Sequence, residues 1–317
     1  MGLAEELLLR ILFAIIKKER QVISYMENKL TRIQFDILES LVNSNNKLTN
    51  NYATDKIHET INELNELGYM LNEEVTNSGI EVLENYRAKR AVFIAAGFGS
   101  RLMPITINTP KPLVRVNGKR MIDGLIDACL EIGINEIYIV RGYLAEQFDQ
   151  LLYKYPMIKF IENPIYNEAN NISSTLAARE LLSNAYVFEA DLLISNPAII
   201  KKYHYTSDFL AIKKDETADW CFTVENGVIT EEKIGGTDCW QMVGISYWNE
   251  EDGKKPYRDI EVVYNSRDGK KMYWEQVPLV CCKENYSVEV RECFEDDIVE
   301  IDTFNELKAI DKIYDCD

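Results

Sequence analysis

The chain has 317 residues, 46% of them hydrophobic and 27% charged, which suits a folded protein of two domains. A formal charge of -17 excludes broad nucleic-acid binding, which needs a basic face. Seven cysteines without a C-x-x-C spacing, Cys281 and Cys282 being adjacent, suit neither a zinc knuckle nor an easy disulfide and read as reduced thiols. The apolar start, Leu7 to Ile16, is preceded by Glu5 and Glu6 and interrupted by Arg10. It lacks the basic start and cleavage site of a signal peptide and falls short of the about 20 apolar residues of a membrane span. A packed amphipathic helix, no membrane association and a cytoplasmic location are expected.

Residues 1–88 read as a small helical domain. Thr31-x-x-Gln34 is a capping box that opens the apolar run Ile33, Phe35, Ile37, Leu38 and Leu41. A second helix starts near Thr54, with Ile57, Ile61, Leu64 and Leu67 on one face, and Gly68 can end it. Tyr69-Met70-Leu71 suggests a short hairpin, and Ser78-x-x-Glu81 caps a third helix that ends near Ala88. Helix, helix, hairpin, helix resembles the winged helix-turn-helix of small bacterial transcription regulators. The stretch Asp55 to Glu63, where that resemblance puts the recognition helix, is not basic, and phosphate contacts need Lys or Arg there. DNA binding is therefore not expected. The segment reads as a structural or dimerising module, with a homodimer through it as the expected partner.

Residues 89–317 read as a second domain. Ala91-Val92-Phe93-Ile94 is a short buried strand, and strand and helix alternate after it. Helices are expected over Met121–Ile132, near Ala145–Tyr153 and over Ile172–Leu182, and strands over Glu136–Val140, Lys159–Ile161 and Tyr186–Phe188. Such alternation implies a mostly parallel sheet covered on both faces. Between Tyr205 and Trp274 the pattern is irregular, aromatic and strand-prone, and reads as an insertion that forms part of a ligand site. A strand over Ile298–Ile301 and a helix capped by Thr303-x-x-Glu306 close the domain. The end, Asp315-Cys316-Asp317, carries no stop feature and leaves room for a longer polypeptide.

The chemistry concentrates in Ala95-Ala96-Gly97-Phe98-Gly99-Ser100-Arg101-Leu102-Met103-Pro104-Ile105-Thr106 and Pro110-Lys111-Pro112-Leu113. A glycine-rich turn after a first strand lets the backbone approach a ligand and turns free N–H groups toward phosphate oxygens. Arg101 and Lys111 add fixed positive charge. The absence of G-K-[ST] excludes a Walker-type loop, and Leu102 stands where the dinucleotide fingerprint needs a third glycine. Further on, Glu189-Ala190-Asp191 follows an apolar strand, where ligands bind in open α/β sheets. Along the last strand Glu300 and Asp302 share a face. Asp191 and Asp302, with Glu300 nearby, would suit Mg²⁺, which takes one or two carboxylates plus phosphate oxygens and water.

The string A-A-G-x-G-S-R-L-x-P-x-T followed by P-K-x-L resembles the signature of nucleotidyltransferases that activate sugars and small alcohol phosphates. From about Ala91 to the end, further segments resemble the bacterial CTP:phosphocholine cytidylyltransferases. They are Val140 to Phe148, Tyr166 with Asn170-Asn171-Ile172-Ser173-Ser174, Val243 to Trp248, Tyr273-Trp274-Glu275 and Glu300-Ile301-Asp302. The resemblance implies an α/β, Rossmann-like nucleotidyltransferase domain with a mixed, mostly parallel sheet behind the winged-helix-like domain. It also implies that Ala95, Ala96, Gly97, Gly99 and Ser100 bind the nucleotide with Arg101, that Lys111 stabilises the transferred phosphoryl group, and that Gly142, Asn170 and Ser174 surround cytosine and ribose. Mg²⁺ is the implied cofactor, and CTP and phosphocholine are the implied substrates.

A quaternary ammonium cannot donate hydrogen bonds and is held by aromatic faces, often beside a carboxylate. Trp220, Tyr247, Tyr273, Trp274 and Glu275 are the acceptor-site expectations, whereas Trp248 is expected to pack inside. A primary ammonium, as in 2-aminoethylphosphonate, would favour acidic partners, and Glu275 and Asp219 leave that alternative open. A reading of another class is a DNA-binding regulator whose second domain senses a metabolite. The joint presence of Arg101, Lys111, Asp191 and Asp302 weighs against it, since sensing does not need all four.

Overall fold

The computed structural model describes residues 29–43 and 52–315, so the expected helix over Leu7–Ile16 lies outside the described residues. The chain divides into two compact units, Met1–Tyr86 and Arg87–Asp317.

In the first unit, α1 (Arg32–Val42) opens on the Thr31 capping box: the Thr31 hydroxyl accepts from the Gln34 N–H at 3.4 Å and the Gln34 side chain accepts from the Thr31 N–H at 3.0 Å. It buries Phe35, Ile37 and Leu38, and Phe35 packs on Tyr86 with ring centroids 5.1 Å apart. The next helix, α2 (Thr54–Glu66), buries Leu64, while Leu67 beyond its end is exposed. Gly68, at φ 74°, turns the chain into the hairpin β1 (Met70–Leu71) and β2 (Glu74–Val75). The helix α3 (Asn77–Leu83) is capped by Thr76, whose hydroxyl accepts from the Gly79 N–H at 3.2 Å. Ser78 is therefore not its cap: Thr76 has the extended backbone a cap needs, and Ser78 is already helical.

The second unit is built on a seven-stranded sheet. In chain order its strands are β3 (Arg90–Ile94), β6 (Glu136–Arg141), β7 (Lys159–Glu162), β8 (Ala185–Glu189), β10 (Asp208–Glu225), β11 (Val228–Trp248) and β12 (Glu289–Cys293), while β4 (Arg115–Val116) and β5 (Lys119–Arg120) pair in a small ribbon of their own. Their spatial order is β10-β12-β11-β8-β3-β6-β7. Pairings β3–β6, β3–β8, β6–β7 and β10–β12 are parallel, whereas β8–β11 and β10–β11 are antiparallel. Alternate side chains of the central strands feed two cores, as a period of two requires. Ala91, Phe93, Tyr186 and Phe188 meet α4 (Met121–Glu131) on one face, with the Phe93 and Phe188 rings stacked at 4.7 Å. On the other face Val92 and Val187 meet α5 (Ile172–Ala178) and α6 (Pro256–Tyr264). Residues 145–153 form a 3-10 rather than an α-helix, and α5 gives way to a 3-10 turn at Arg179.

The stretch read as an irregular insertion is a correction. Much of it is the hairpin β10–β11, whose base completes the central sheet through β11–β8. Register shifts and folding-back make its pattern irregular: Cys221 and Phe222 pair both with Lys233 and Glu232 and with Gln241 and Trp240. The ends of the chain's functional segments are tied by a small ribbon of β9 (Leu192–Ile194) and β13 (Ile298–Glu300), in which Glu300 faces Leu192. Helix α7 (Phe304–Ile310) follows, capped by the Thr303–Glu306 box. No helix among the described residues is long and apolar enough to cross a membrane.

Candidate active site

The β3 strand ends at Ile94, and the glycine loop leaves the sheet at its carboxyl edge. Ala95 and Ala96 are buried as its anchor. Gly99 adopts φ 61°, a left-handed conformation glycine takes without steric cost. A Cβ there would also come within 2.8 Å of the Lys111 Cβ, so the glycine lets two segments touch. The Thr106 hydroxyl donates to the Gly99 carbonyl at 2.8 Å and pins the loop.

Lys111 is 8% exposed and reaches two acids: Nζ lies 2.8 Å from Asp191 Oδ2 and 2.9 Å from Asp302 Oδ1. Arg101 reaches the same Asp302 oxygen at 2.7 Å. Burial opposes the Lys111 charge, but Asp191 and Asp302 outweigh it and hold the ammonium above its ordinary value. The β9–β13 ribbon explains how residues so distant in sequence meet: Asp191 enters β9, Asp302 leaves β13, and the Ile301 N–H donates to the Asp191 carbonyl at 3.2 Å.

Beside this pair, Glu189, Asp191 and Glu300 each bring a carboxylate oxygen within 4.8 Å of the others. Burial, Glu275 and Asp191 push the Glu189 carboxyl well up; burial, Asp191 and Glu189 do the same to Glu300. Three such groups cannot all ionise cheaply in one buried place. Asp191 Oδ1 is buried and accepts no hydrogen bond. An orphaned oxygen within an acidic triad is the donor set a hard divalent cation needs. The residues fit Mg²⁺: Glu189, Asp191 and Glu300 form the triad, and Asp302, held by Lys111 and Arg101, lines the same cavity.

A cavity of ≈ 420 Å³ opens on these groups. Of the expected nucleotide residues, Ala96, Gly97, Gly99, Ser100, Arg101, Lys111, Asn170 and Ser174 line it, as do Asp191, Glu300, Asp302 and Tyr273. Ser174 receives an Asn163 N–H at 3.1 Å, and Asn170 donates to the Lys271 carbonyl at 3.2 Å. Ala95 and Gly142 act from behind the wall: a Cβ on Gly142 would meet the Tyr166 ring at 2.7 Å.

The aromatic cage does not assemble as expected. Tyr247 is fully buried and stacks on His204 at 3.9 Å, because β11 belongs to the sheet core. Trp274 is 2% exposed and packs on Phe209 at 6.0 Å and Trp248 at 5.7 Å. Both are structural. Trp248 is buried, in line with its expected place. Trp220 and Tyr273 remain, edge to face at 5.6 Å, and Glu275 lies behind Asn171, which donates to it at 3.5 Å.

Sequence reasoning missed Phe98, Asn163 and Asn171 as wall residues and Glu189 as a triad member. Phe98 is 46% exposed at the cavity mouth, against Tyr143 at 5.1 Å and Tyr166 at 5.3 Å. The spacing Glu189-x-Asp191 at a strand end held the signal for Glu189, since two carboxylates two residues apart can share a face.

A nucleotide-sized cavity at the carboxyl edge of the sheet, closed by a glycine loop, two cations and an acidic triad, defines a nucleotide-handling α/β enzyme. The sequence matches the Nucleotidyl transferase family over residues 90–231. It is 36% identical over 234 residues to the 2-aminoethylphosphonate cytidylyltransferase of Lancefieldella rimae, covering 73% of this chain and 95% of that one. It is 32% identical over 225 residues to the choline-phosphate cytidylyltransferase of Streptococcus pneumoniae, covering 71% and 97%. The solved CTP:phosphocholine cytidylyltransferase of Streptococcus pneumoniae superposes with a TM-score of 0.64 at 30% identity, covering 72% of this chain and 99% of that one. The chain belongs to the nucleotidyltransferase family.

Proposed function

We propose that the protein transfers a cytidylyl group from CTP to a small acceptor bearing a phosphate or phosphonate and an amine, with release of pyrophosphate. The observation that carries this reading is Lys111 held at 2.8 and 2.9 Å between Asp191 and Asp302 on the wall of the glycine-loop cavity. An acceptor oxygen attacks the α-phosphorus, a new P–O bond forms, and the bond to the β-phosphate oxygen breaks. The nucleophile is already anionic, so no general base is required. Repulsion between two anions opposes the reaction, and Lys111 and Arg101 offset it. The loop N–H groups near Gly97 and Ser100 orient the polyphosphate. Glu189, Asp191 and Glu300 would hold Mg²⁺, which supplies charge neutralisation on the phosphate oxygens when bound.

Phosphocholine and 2-aminoethylphosphonate are the acceptors of the similar enzymes. Loss of Tyr247 and Trp274 to the core weakens the case for an all-aromatic cage and favours the aminophosphonate as the second reading. Pyrophosphate release from a panel of nucleotides and acceptors tests the proposal. CTP with an amine-bearing phosphate or phosphonate should give the highest kcat/KM. Turnover of UTP with a sugar phosphate, without turnover of CTP and any amine acceptor, would refute it.

A further inference from the structure

The β8 strand ends on Glu189, and two residues from elsewhere in the chain shape the space its side chain occupies. The first is Gly244 on β11. Ile245 pairs with Phe188, so Gly244 lies one step further along the ladder, beside Glu189. A Cβ on Gly244 would come within 2.6 Å of Glu189 Oε2, 2.7 Å of its Cβ and 2.8 Å of its Cγ. One side chain therefore fills the place a larger residue would claim, and its Cβ cannot move aside without the strand. Gly244 is not among the glycines of positive φ, so close approach rather than backbone freedom calls for glycine here.

The second is Asn171, the residue before α5. Its backbone is fixed by the helix start, where its carbonyl accepts the Ser174 N–H at 2.9 Å. Its side-chain oxygen accepts the Trp274 N–H at 2.8 Å. An amide that accepts through its oxygen turns its NH₂ the other way. That group faces two carboxylates, Glu189 Oε1 at 3.4 Å and Glu275 Oε2 at 3.5 Å. Both distances exceed those of a full N–H···O bond, so one neutral group is shared thinly between two acids. Asn171 thus orients Glu189 without neutralising it. Lys111 pairs with Asp191, and Lys111 and Arg101 pair with Asp302, whereas Glu189 has no such ion pair among the described residues.

We propose that Asn171 and Gly244 are positioning residues for a divalent cation: they hold the Glu189 carboxylate toward Asp191 and Glu300 and leave its charge for the metal. The inference rests on the metal reading of the triad in the function proposed above. Groups behind a metal ligand fix its orientation, and losing one costs about 10–100-fold in affinity. Gly244 gives the side chain room on one side, and Asn171 meets the oxygen on the other. Both act through Glu189. The Asn171 amide also joins this acid to the Trp274 backbone, next to the cavity wall at Tyr273, so the metal acid and that wall are tied through one side chain.

The test uses the full chain without nucleotide and Mn²⁺ as the probe, the free ion being counted by its electron paramagnetic resonance signal. Glu189→Gln should weaken Mn²⁺ binding at least about tenfold, and Asn171→Ala and Gly244→Ala should each weaken it by about tenfold or more. In the Glu189→Gln background the same two substitutions should add less than about twofold, because the residue they act through is already lost. With CTP and an amine acceptor, the Mg²⁺ concentration for half-maximal pyrophosphate release should rise in Asn171→Ala by the same factor as the Mn²⁺ dissociation constant. If Gly244→Ala does not fold, Asn171→Ala decides, since it removes the amide without adding an atom. An Asn171→Ala protein with unchanged Mn²⁺ affinity, or losses that persist in full beside Glu189→Gln, overturns the inference. So does a Glu189→Gln protein that binds Mn²⁺ as the wild type does, which takes this acid off the metal. Cytidylyl transfer is read separately, as CTP-dependent pyrophosphate release by the wild type, and its absence with every amine acceptor sinks the proposed function instead.

Discussion

Lys111 has two partners in this structure, both acids, and the proposed reaction requires it to yield them. Its ammonium sits 2.8 Å from Asp191 and 2.9 Å from Asp302, at the place where phosphate oxygens would enter. In the proposed reaction the lysine serves two states, screening the acids before substrate arrives and the transferred phosphoryl group afterwards. Lys111→Ala should lower kcat by about two to three orders of magnitude, the usual loss for one preorganised contact to developing charge. Removing the cation also leaves Asp191 and Asp302 uncompensated, so the same variant should bind Mg²⁺ more tightly. Steady-state rates and a metal titration monitored by calorimetry check the two halves separately. A variant with near-normal kcat would take Lys111 out of the chemistry.

At the scale of elements, local signals were legible and distant ones were not. The capping boxes at Thr31 and Thr303 lie within four residues of sequence, and both form. Strand and helix alternation from Arg90 to Phe188 was readable because each element's burial repeats with its own period. The glycine loop stood out because a phosphate turn needs glycine, and the Lys111 segment because the whole string resembles a known signature. The fate of Tyr247 and Trp274 could not be read. An aromatic in a strand-prone stretch has the same local pattern whether it faces a ligand or a core, and here the pairing of β11 with β8 decides. Glu189 was signalled by its spacing from Asp191, but which acids come together depends on how the β9–β13 ribbon aims each side chain.

The Thr303 box shows how an element's end serves the site. Glu306 Oε2 accepts the N–H groups of Asp302 and Thr303, each at 2.8 Å, so the cap of α7 fixes the backbone that presents Asp302 to Lys111 and Arg101. Thr303→Ala should cost about 1 kcal/mol, as losing an N-cap usually does. In a unit of this size that lowers the thermal midpoint by about 2–4 °C. A calorimetric scan measures it, and an unchanged midpoint would mean that packing of Leu307 holds the helix without the cap.

For the whole molecule, stability hangs on a charged group buried where β10 starts, paired with β11 and β12. Asp208 opens β10 and is 6% exposed, with Arg291 at 2.9 Å and His204 Nδ1 at 2.7 Å. Burial pushes Asp208 up, but Arg291 and His204 outweigh it and bring it down to about 2 from 3.8. Burial above all lowers His204, whose Nδ1 lies 2.7 Å from Asp208 Oδ2 and whose Nε2 lies 2.7 Å from the Tyr186 hydroxyl. A carboxyl whose folded value is depressed adds stability above its unfolded value and loses it as pH falls through the folded one. The depression corresponds to on the order of 2 kcal/mol, present above about pH 4 and gone near pH 2. Asp208→Asn should therefore be less stable than wild type by about that amount at neutral pH. The gap should close as pH falls from about 4 toward 2, because protonation makes the wild-type side chain neutral as well. Urea unfolding followed at several pH values gives both curves. A gap that stays constant over that range would assign the cost to lost shape rather than lost charge, and would place the ion pair outside the stability of the sheet.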